Sequence, residues 1–284
     1  MFSLRQFGAG ATIFLKSSGG FQGLAETVSR LGLGYLELIC EPHLLYPREL
    51  SPAERLRLRR GLEGYELTPT VHTTFYDINL ASLNPLIREA STGQLLECIG
   101  FASDLGARLA VVHAGELPGD YPASLLSASW LHLLEGLREA LELAERRGVT
   151  LALENSGRGH ARGLIESAAE HLELIETVGS PNCKVAFDVG HAHTFGLDLV
   201  EYLQRVLPHL GEVHLHDNDG RDDLHRPLGE GTADFGAVLE VLERGNYLGP
   251  LILEMVSVDD LRRSQGYLVS QGYACRPEVR LGDP

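Results

Sequence analysis

The chain has 284 residues, 44% of them hydrophobic and 22% charged, and 39 Asp and Glu against 24 Lys and Arg give a formal net charge of −15. That composition belongs to a chain with a sizeable buried core and excludes a disordered or collagen-like one. The acidity leaves no basic face for gripping phosphates over a long footprint, which excludes indiscriminate nucleic-acid binding, although a bound cation can supply positive charge locally.

In chain order, the N-terminal stretch MFSLRQFGAGATIFLKSSGG has no basic segment followed by an unbroken apolar run, so neither a signal peptide nor a membrane span is expected there. Strands are expected at Gly10–Leu15, Tyr35–Cys40, Thr68–Thr73, Leu109–His113, Thr150–Glu154, Lys184–Asp188, Glu212–His216 and Leu251–Glu254. Each run is too short for a helix, and most are bounded by Gly, Pro or Asn. Between them, Leu86–Leu105, Leu125–Arg147, Leu164–Val178 and Phe235–Arg244 read as helices; Leu133, Leu134, Leu137, Leu141 and Ala144 fall on one side at helical spacing. Gly32, Gly106, Gly148 and Gly179 stand where glycine closes a helix in the left-handed conformation.

Eight strands alternating with helices imply a parallel sheet, and near-continuous apolar strands imply that both its faces are covered. No Gly-rich phosphate fingerprint follows the first strand, which argues against an open doubly wound sheet. The length is close to the roughly 250 residues typical of a (β/α)8 barrel. The expectation is one such barrel domain over 1–284, with 271–284 as an irregular tail. Cys40, Cys98, Cys183 and Cys275 are scattered and form no C-x-x-C pair, a pattern of reduced thiols in a cytoplasmic protein.

The informative residues end the strands. TPTVHTTF ends around His72, LAVVHAGE at His113 and TLALENS at Glu154; KVAFDVGHAH carries Asp188 and His191. EVHLHDN carries His214, His216 and Asp217, the loop RDDLHRPLGEG carries Asp223 and His225, and LILEM ends in Glu254. An unpaired charge buried after three or four apolar residues costs roughly several kcal/mol. In a barrel, however, the C-terminal strand ends converge on one mouth. There these groups can neutralise one another around metal, and nitrogen and oxygen donors without thiolate suit Zn, Mn or Fe.

One histidine at a strand end is more often a hydrogen-bonded core residue than a ligand. Five consecutive strand ends carrying such groups, and a glutamate on the eighth, are hard to produce by chance. Glu37 and Glu41 flank the second strand and read as capping or locally paired. His193 and His216 lie two residues beyond better candidates and read as hydrogen-bonding partners of ligands. His43, His132, His160, His171 and His209 fall in loops or helical stretches, where a solvated face is the default.

These residues resemble the xylose isomerase-like barrels, a superfamily that includes sugar isomerases and epimerases and the endonuclease IV (family 2) AP endonucleases. The resemblance runs from the first strand to Glu254 and is most specific at HTTFYDINLAS, VVHAG, LENSG, FDVGHAH, HLHDN…DLHRPLGEG and LILEM. Similarity to endonuclease IV implies three zinc ions: His72 and His113 on one, Glu154 bridging to a second completed by Asp188, His214 and Glu254, and His191, Asp223 and His225 on the third. Similarity to the isomerases and epimerases implies one divalent ion, such as Mn, Mg or Co, on Glu154, Asp188, His214 and Glu254, the two glutamates also exchanging the substrate proton. The loop ICEPHLLYPREL departs from the DNA-recognition segment of the nuclease, and His216 stands where that nuclease has an asparagine.

Two activities follow. The first expectation is phosphoester hydrolysis, on abasic-site DNA or a small phosphorylated substrate, because five candidate ligands, His72, His113, His191, Asp223 and His225, are present beyond the isomerase four. The alternative is isomerisation or epimerisation of a sugar or sugar phosphate, with Glu154 and Glu254 as acid and base. A metal-binding protein without catalysis has no positive feature in the sequence.

Overall fold

The structure, a computed structural model, describes residues 2–10, 20–42 and 44–273. Eight strands close into a barrel: β1 (Phe7–Gly10), β2 (Tyr35–Ile39), β3 (Thr68–His72), β4 (Leu109–His113), β5 (Thr150–Glu154), β6 (Cys183–Asp188), β7 (Leu210–Leu215) and β8 (Leu251–Glu254). Each pairs in parallel with its sequence neighbours, and β1 closes the ring against β8 with Gly10 opposite Glu254. The expected (β/α)8 barrel is therefore the fold.

Helices intervene at α1 (Gly20–Arg30), α2 (Pro52–Gly64), α3 (Pro85–Leu105), α4 (Leu126–Arg147), α5 (Ala168–Val178), α6 (Val189–Thr194), α7 (Leu199–Val206), α8 (Phe235–Arg244) and α9 (Val258–Ser270). Their boundaries follow local chemistry. Ser51 and Glu54 form a reciprocal capping box on α2, and Asp234 accepts from the Ala237 amide at the start of α8. Gly106 and Gly148 end α3 and α4 at φ 81° and 67°, a conformation that costs glycine little. On α4, Leu133, Leu137, Leu141 and Ala144 are buried, as their spacing predicts, with Leu134 packed beside them. Among the described residues no helix is long and apolar enough to cross a membrane.

The expected first strand, Gly10–Leu15, lies outside the described residues apart from Gly10. The strand itself is Phe7–Gly10. Its sequence, FGAG, lacks the β-branched residues that mark strands, and its burial comes from neighbours on both sides. The C-terminal tail beyond Tyr273 also lies outside the described residues; Tyr273 packs on the rings of Phe2 and Phe7.

The large hydrophobic cluster sits between strands and helices, whereas Val111, Ala152 and Ala186 form a small separate cluster within the ring. Side chains alternate along a strand. Continuing two residues from that inner cluster along β4, β5 and β6 reaches His113, Glu154 and Asp188. The barrel wall thus delivers the polar strand ends to one inner rim.

Candidate metal centre and active site

The nine residues singled out by the sequence gather at that rim as three adjoining groups, in each of which one donor atom per residue lies within 4.8 Å of the others. His72, His113 and Glu154 make the first; Glu154, Asp188, His214 and Glu254 the second; His191, Asp223 and His225, joined by His216, the third. Glu154 is shared. Its Oε2 faces His113 Nε2 at 2.7 Å and His72 Nε2 at 3.3 Å, and its Oε1 faces His214 Nδ1 at 2.8 Å. His214 Nδ1 also meets Glu254 Oε1 at 3.3 Å.

Backbone contacts fix the ring orientations. A carbonyl oxygen only accepts, so the imidazole nitrogen facing one carries the proton. His72 Nδ1 donates to Thr73 O at 2.9 Å, His191 Nδ1 to Asn155 O at 2.8 Å and His225 Nδ1 to Glu254 O at 3.2 Å. In the neutral form that a metal requires, each ring therefore has Nε2 as the lone-pair donor aimed into its group, the arrangement typical of metal-ligating histidines. Asn155 also bonds both backbone groups of Asp188, accepting from its N–H at 2.8 Å and donating to its carbonyl at 2.9 Å.

The loop carrying Asp223 and His225 is held from beneath. Asp217 accepts from the amides of Gly229, Gly231 and Ala233 at 2.8–3.1 Å. His225 itself lies at φ 45°, a region that non-glycine residues seldom adopt and that clusters at functional sites. His216, read from sequence as a partner rather than a ligand, is fully buried, meets Asp188 Oδ1 at 3.1 Å and stacks on His225 at 3.9 Å. It belongs to the third group by geometry. His193 does not: its Nε2 meets Thr232 Oγ1 at 2.8 Å.

Two further sequence readings change. His171, expected on a solvated face, is fully buried between Leu153 O at 2.8 Å and the Tyr202 hydroxyl at 3.1 Å. Burial lowers its pKa to about 4, so it serves as a neutral strut beneath β5. Glu37, read as a local cap, is buried within the barrel with Oε2 3.4 Å from His214 Nε2. Glu41 does pair locally, accepting from the Phe75 and Tyr76 amides at 2.7 and 3.0 Å. His43 lies outside the described residues.

Electrostatically the rim is mutually neutralising. Burial disfavours the ionised form of Glu154, yet the charges of His214 and His113 hold its carboxyl well below the usual range. Burial likewise opposes protonation of His72, but the hydrogen bond to Glu154 and the charges of Glu37, Glu154 and Glu254 lift its pKa to about 9. His225 also rises to about 9, the bond to Asp223 and the charge of Glu254 outweighing burial. Imidazole and carboxylate donors this close, without thiolate, fit a divalent cation in each group.

These shifts set a pH dependence. A histidine whose folded pKa exceeds its unfolded value contributes stability below about pH 6.5 that is lost as pH rises through the folded pKa. Protein stripped by chelation should therefore lose thermal stability between about pH 6.5 and 9. Zinc-loaded protein should gain relative to it over the same span, because metal requires the neutral ring. Paired melting curves across that span check this; a metal-stripped protein that becomes more stable with rising pH would contradict it.

Two adjoining hollows of about 320 and 510 Å³ open over the groups. Both are lined by Phe75, Tyr76, His113, Glu154, His191 and Asp223; Glu254 and His225 line the smaller, and Asn155 and Arg158 the larger. Their sizes suit a small ligand. The model of the family described as xylose isomerase-like TIM barrel matches residues 25–271.

The chain belongs to the xylose isomerase-like TIM barrel family.

Within the family, it is 32% identical over 270 residues to the uncharacterized protein MJ1311 of Methanocaldococcus jannaschii, covering 93% of this chain and 88% of the relative. L-ribulose-5-phosphate 3-epimerase UlaE of Escherichia coli is 27% identical over 239 residues, 82% of this chain and 81% of the relative. The crystal structure of a D-tagatose 3-epimerase-like protein superposes with a TM-score of 0.83 at 28% identity, covering 93% of this chain and 96% of that one. Family members with named activities among these favour the second expectation, isomerisation or epimerisation, over the hydrolysis expected first. Abasic DNA as a partner and zinc as the metal gain no support from them.

Proposed function

We propose that the chain is an epimerase of a small keto sugar or its phosphate, dependent on a divalent metal held by Glu154, Asp188, His214 and Glu254. The observation that carries this reading is the placement of two carboxylates, Glu154 and Glu254, in one donor set at the floor of a hollow of about 320 Å³. The relatives named as 3-epimerases support the reaction class. A bound divalent cation would polarise the substrate carbonyl and so acidify the neighbouring C–H.

The chain's own residues do the rest. One glutamate takes the proton from the carbon beside the carbonyl, and the C–H electron pair moves into the C–C bond as the carbonyl oxygen gains charge. The other glutamate, as the acid, returns a proton to the opposite face of that carbon, and the carbonyl re-forms with inverted configuration. After one turnover the two carboxyls have exchanged protonation states, which suits a reversible epimerisation. His72, His113, His191, Asp223 and His225 supply polar groups around the substrate's hydroxyls, or hold further ions. Phe75 and Tyr76 give it an apolar wall, and Arg158 is the one Lys or Arg among the described residues lining the two hollows.

The test is solvent isotope exchange. Manganese-loaded protein incubated in D2O with a panel of ketoses and ketose phosphates should place deuterium on the carbon beside the carbonyl and yield the epimer, and should leave an abasic-site duplex intact. Folded, metal-loaded protein that exchanges none of the panel and cuts the duplex would reverse the assignment in favour of hydrolysis.

A further inference from the structure

Below the rim, the ring contains two carboxylates that the reaction does not use. Glu37 on β2 and Glu212 on β7 are 1% and 0% exposed. Both oxygens of Glu37, Oε2 of Glu212 and Nε2 of His214 are buried with no hydrogen-bond partner. Glu212 Oε1 accepts from the Thr70 hydroxyl at 3.1 Å. Among the described residues, the one ion-pair partner of either carboxylate is His214, at 3.4 Å from Glu37 and 3.9 Å from Glu212.

His214 cannot balance both. If its Nδ1 serves the rim, its ring is neutral, and Nε2–H can satisfy a single oxygen. Two ionised carboxylates buried side by side then lack a countercharge, an arrangement relieved by a shared proton or by a bound cation. The surroundings make room for the carboxylates: a Cβ on Gly10 would come 2.7 Å from Glu37 Oε1. One donor atom each of Glu37, Glu212 and His214 lies within 4.8 Å of the others.

We propose that a further divalent cation binds inside the barrel beneath the mouth, between the carboxylates of Glu37 and Glu212, with His214 Nε2–H turned to Glu37 Oε2, 3.4 Å away, and not to the ion. Two carboxylates neutralise one such ion, so the site carries no net charge. Carboxylate oxygens suit Mn2+ and are also taken by Zn2+, whereas Mg2+ gives up its waters reluctantly. His214 then links the two levels, its Nδ1 lone pair turned to the rim and its Nε2–H to the Glu37 carboxylate. The inference stands on the buried pair and not on the epimerase reading.

The experiment uses the full chain, stripped by chelation, reloaded with Zn2+ or Mn2+ alone and crystallised. Anomalous scattering at the metal's absorption edge should show a peak between Glu37 and Glu212. Elemental analysis of the Glu37→Gln/Glu212→Gln double variant should find one ion per chain fewer than wild type. Peaks at the rim with none between the two carboxylates would overturn the proposal and identify the pair as sharing a proton. An interior peak with none at the rim would uphold it while removing the proposed active site. The diffraction measurement is made on the wild type, so it decides the matter even where the variant does not fold.

Discussion

Glu254→Gln is expected to lower the epimerisation rate by about 10²–10⁴ while leaving the fold in place. The amide keeps the shape of the side chain but can neither take a proton from carbon nor return one, and loss of a general acid or base alone costs about 10²–10⁴ in rate. Its contacts in the protein are few: His214 at 3.3 Å and His225 at 3.8 Å. Glu154→Gln should abolish exchange as fully and disturb more, because its carboxylate meets His72, His113 and His214 together. An amide in its place has one oxygen to offer where three imidazoles now converge. The two variants therefore differ in a second readout, metal content, which Glu154→Gln should lower further. In D2O, both should lose deuterium incorporation in step with turnover. A Glu254→Gln protein that still exchanges at the wild-type rate would exclude this residue from proton transfer.

The rim was legible because of strand periodicity. A polar residue that closes an apolar run in β3, β4, β5, β6, β7 or β8 has one place to go, and the parallel pairing confirmed here carries all six to the same end. The helix-closing glycines were legible for a local reason, since the left-handed turn is chemically specific. What sequence concealed is what depends on depth. Glu37 sits within YLELI and Glu212 begins EVHLH, where a lone charge reads as the edge of a strand; burial comes from closure of the ring, which no local pattern encodes. His171 reads as one polar position on an amphipathic helix, and only the contact with Leu153 O and Tyr202 makes it interior. The count of rim ligands pointed toward hydrolysis, yet a set of donors constrains which ions bind more tightly than which bond breaks, as expected of a fold that hosts many reactions.

The third group depends on a glycine, and Gly190→Ala is expected to dismantle it. A Cβ at this position would fall within 2.5 Å of Cε1, Nδ1 and Nε2 of His216. That ring has nowhere to retreat, being fully buried, bonded to Asp188 and stacked face to face on His225 with an interplanar angle of 8°. Either α6 moves outward, carrying His191 with it, or His216 leaves Asp188. Overpacking of this kind costs about 1–3 kcal/mol, and the displaced ring adds the loss of its bond to a buried carboxylate. The variant should melt well below wild type and bind less metal. Gly93→Ala provides the contrast: Gly93 lies within α3 and its Cβ would meet nothing within 4 Å, so alanine there should stabilise by up to about 1 kcal/mol through helix propensity. Equal melting temperatures for Gly190→Ala and wild type, with metal content unchanged, would mean that His216 does not occupy the space against Gly190, and the third group as described would fall with it.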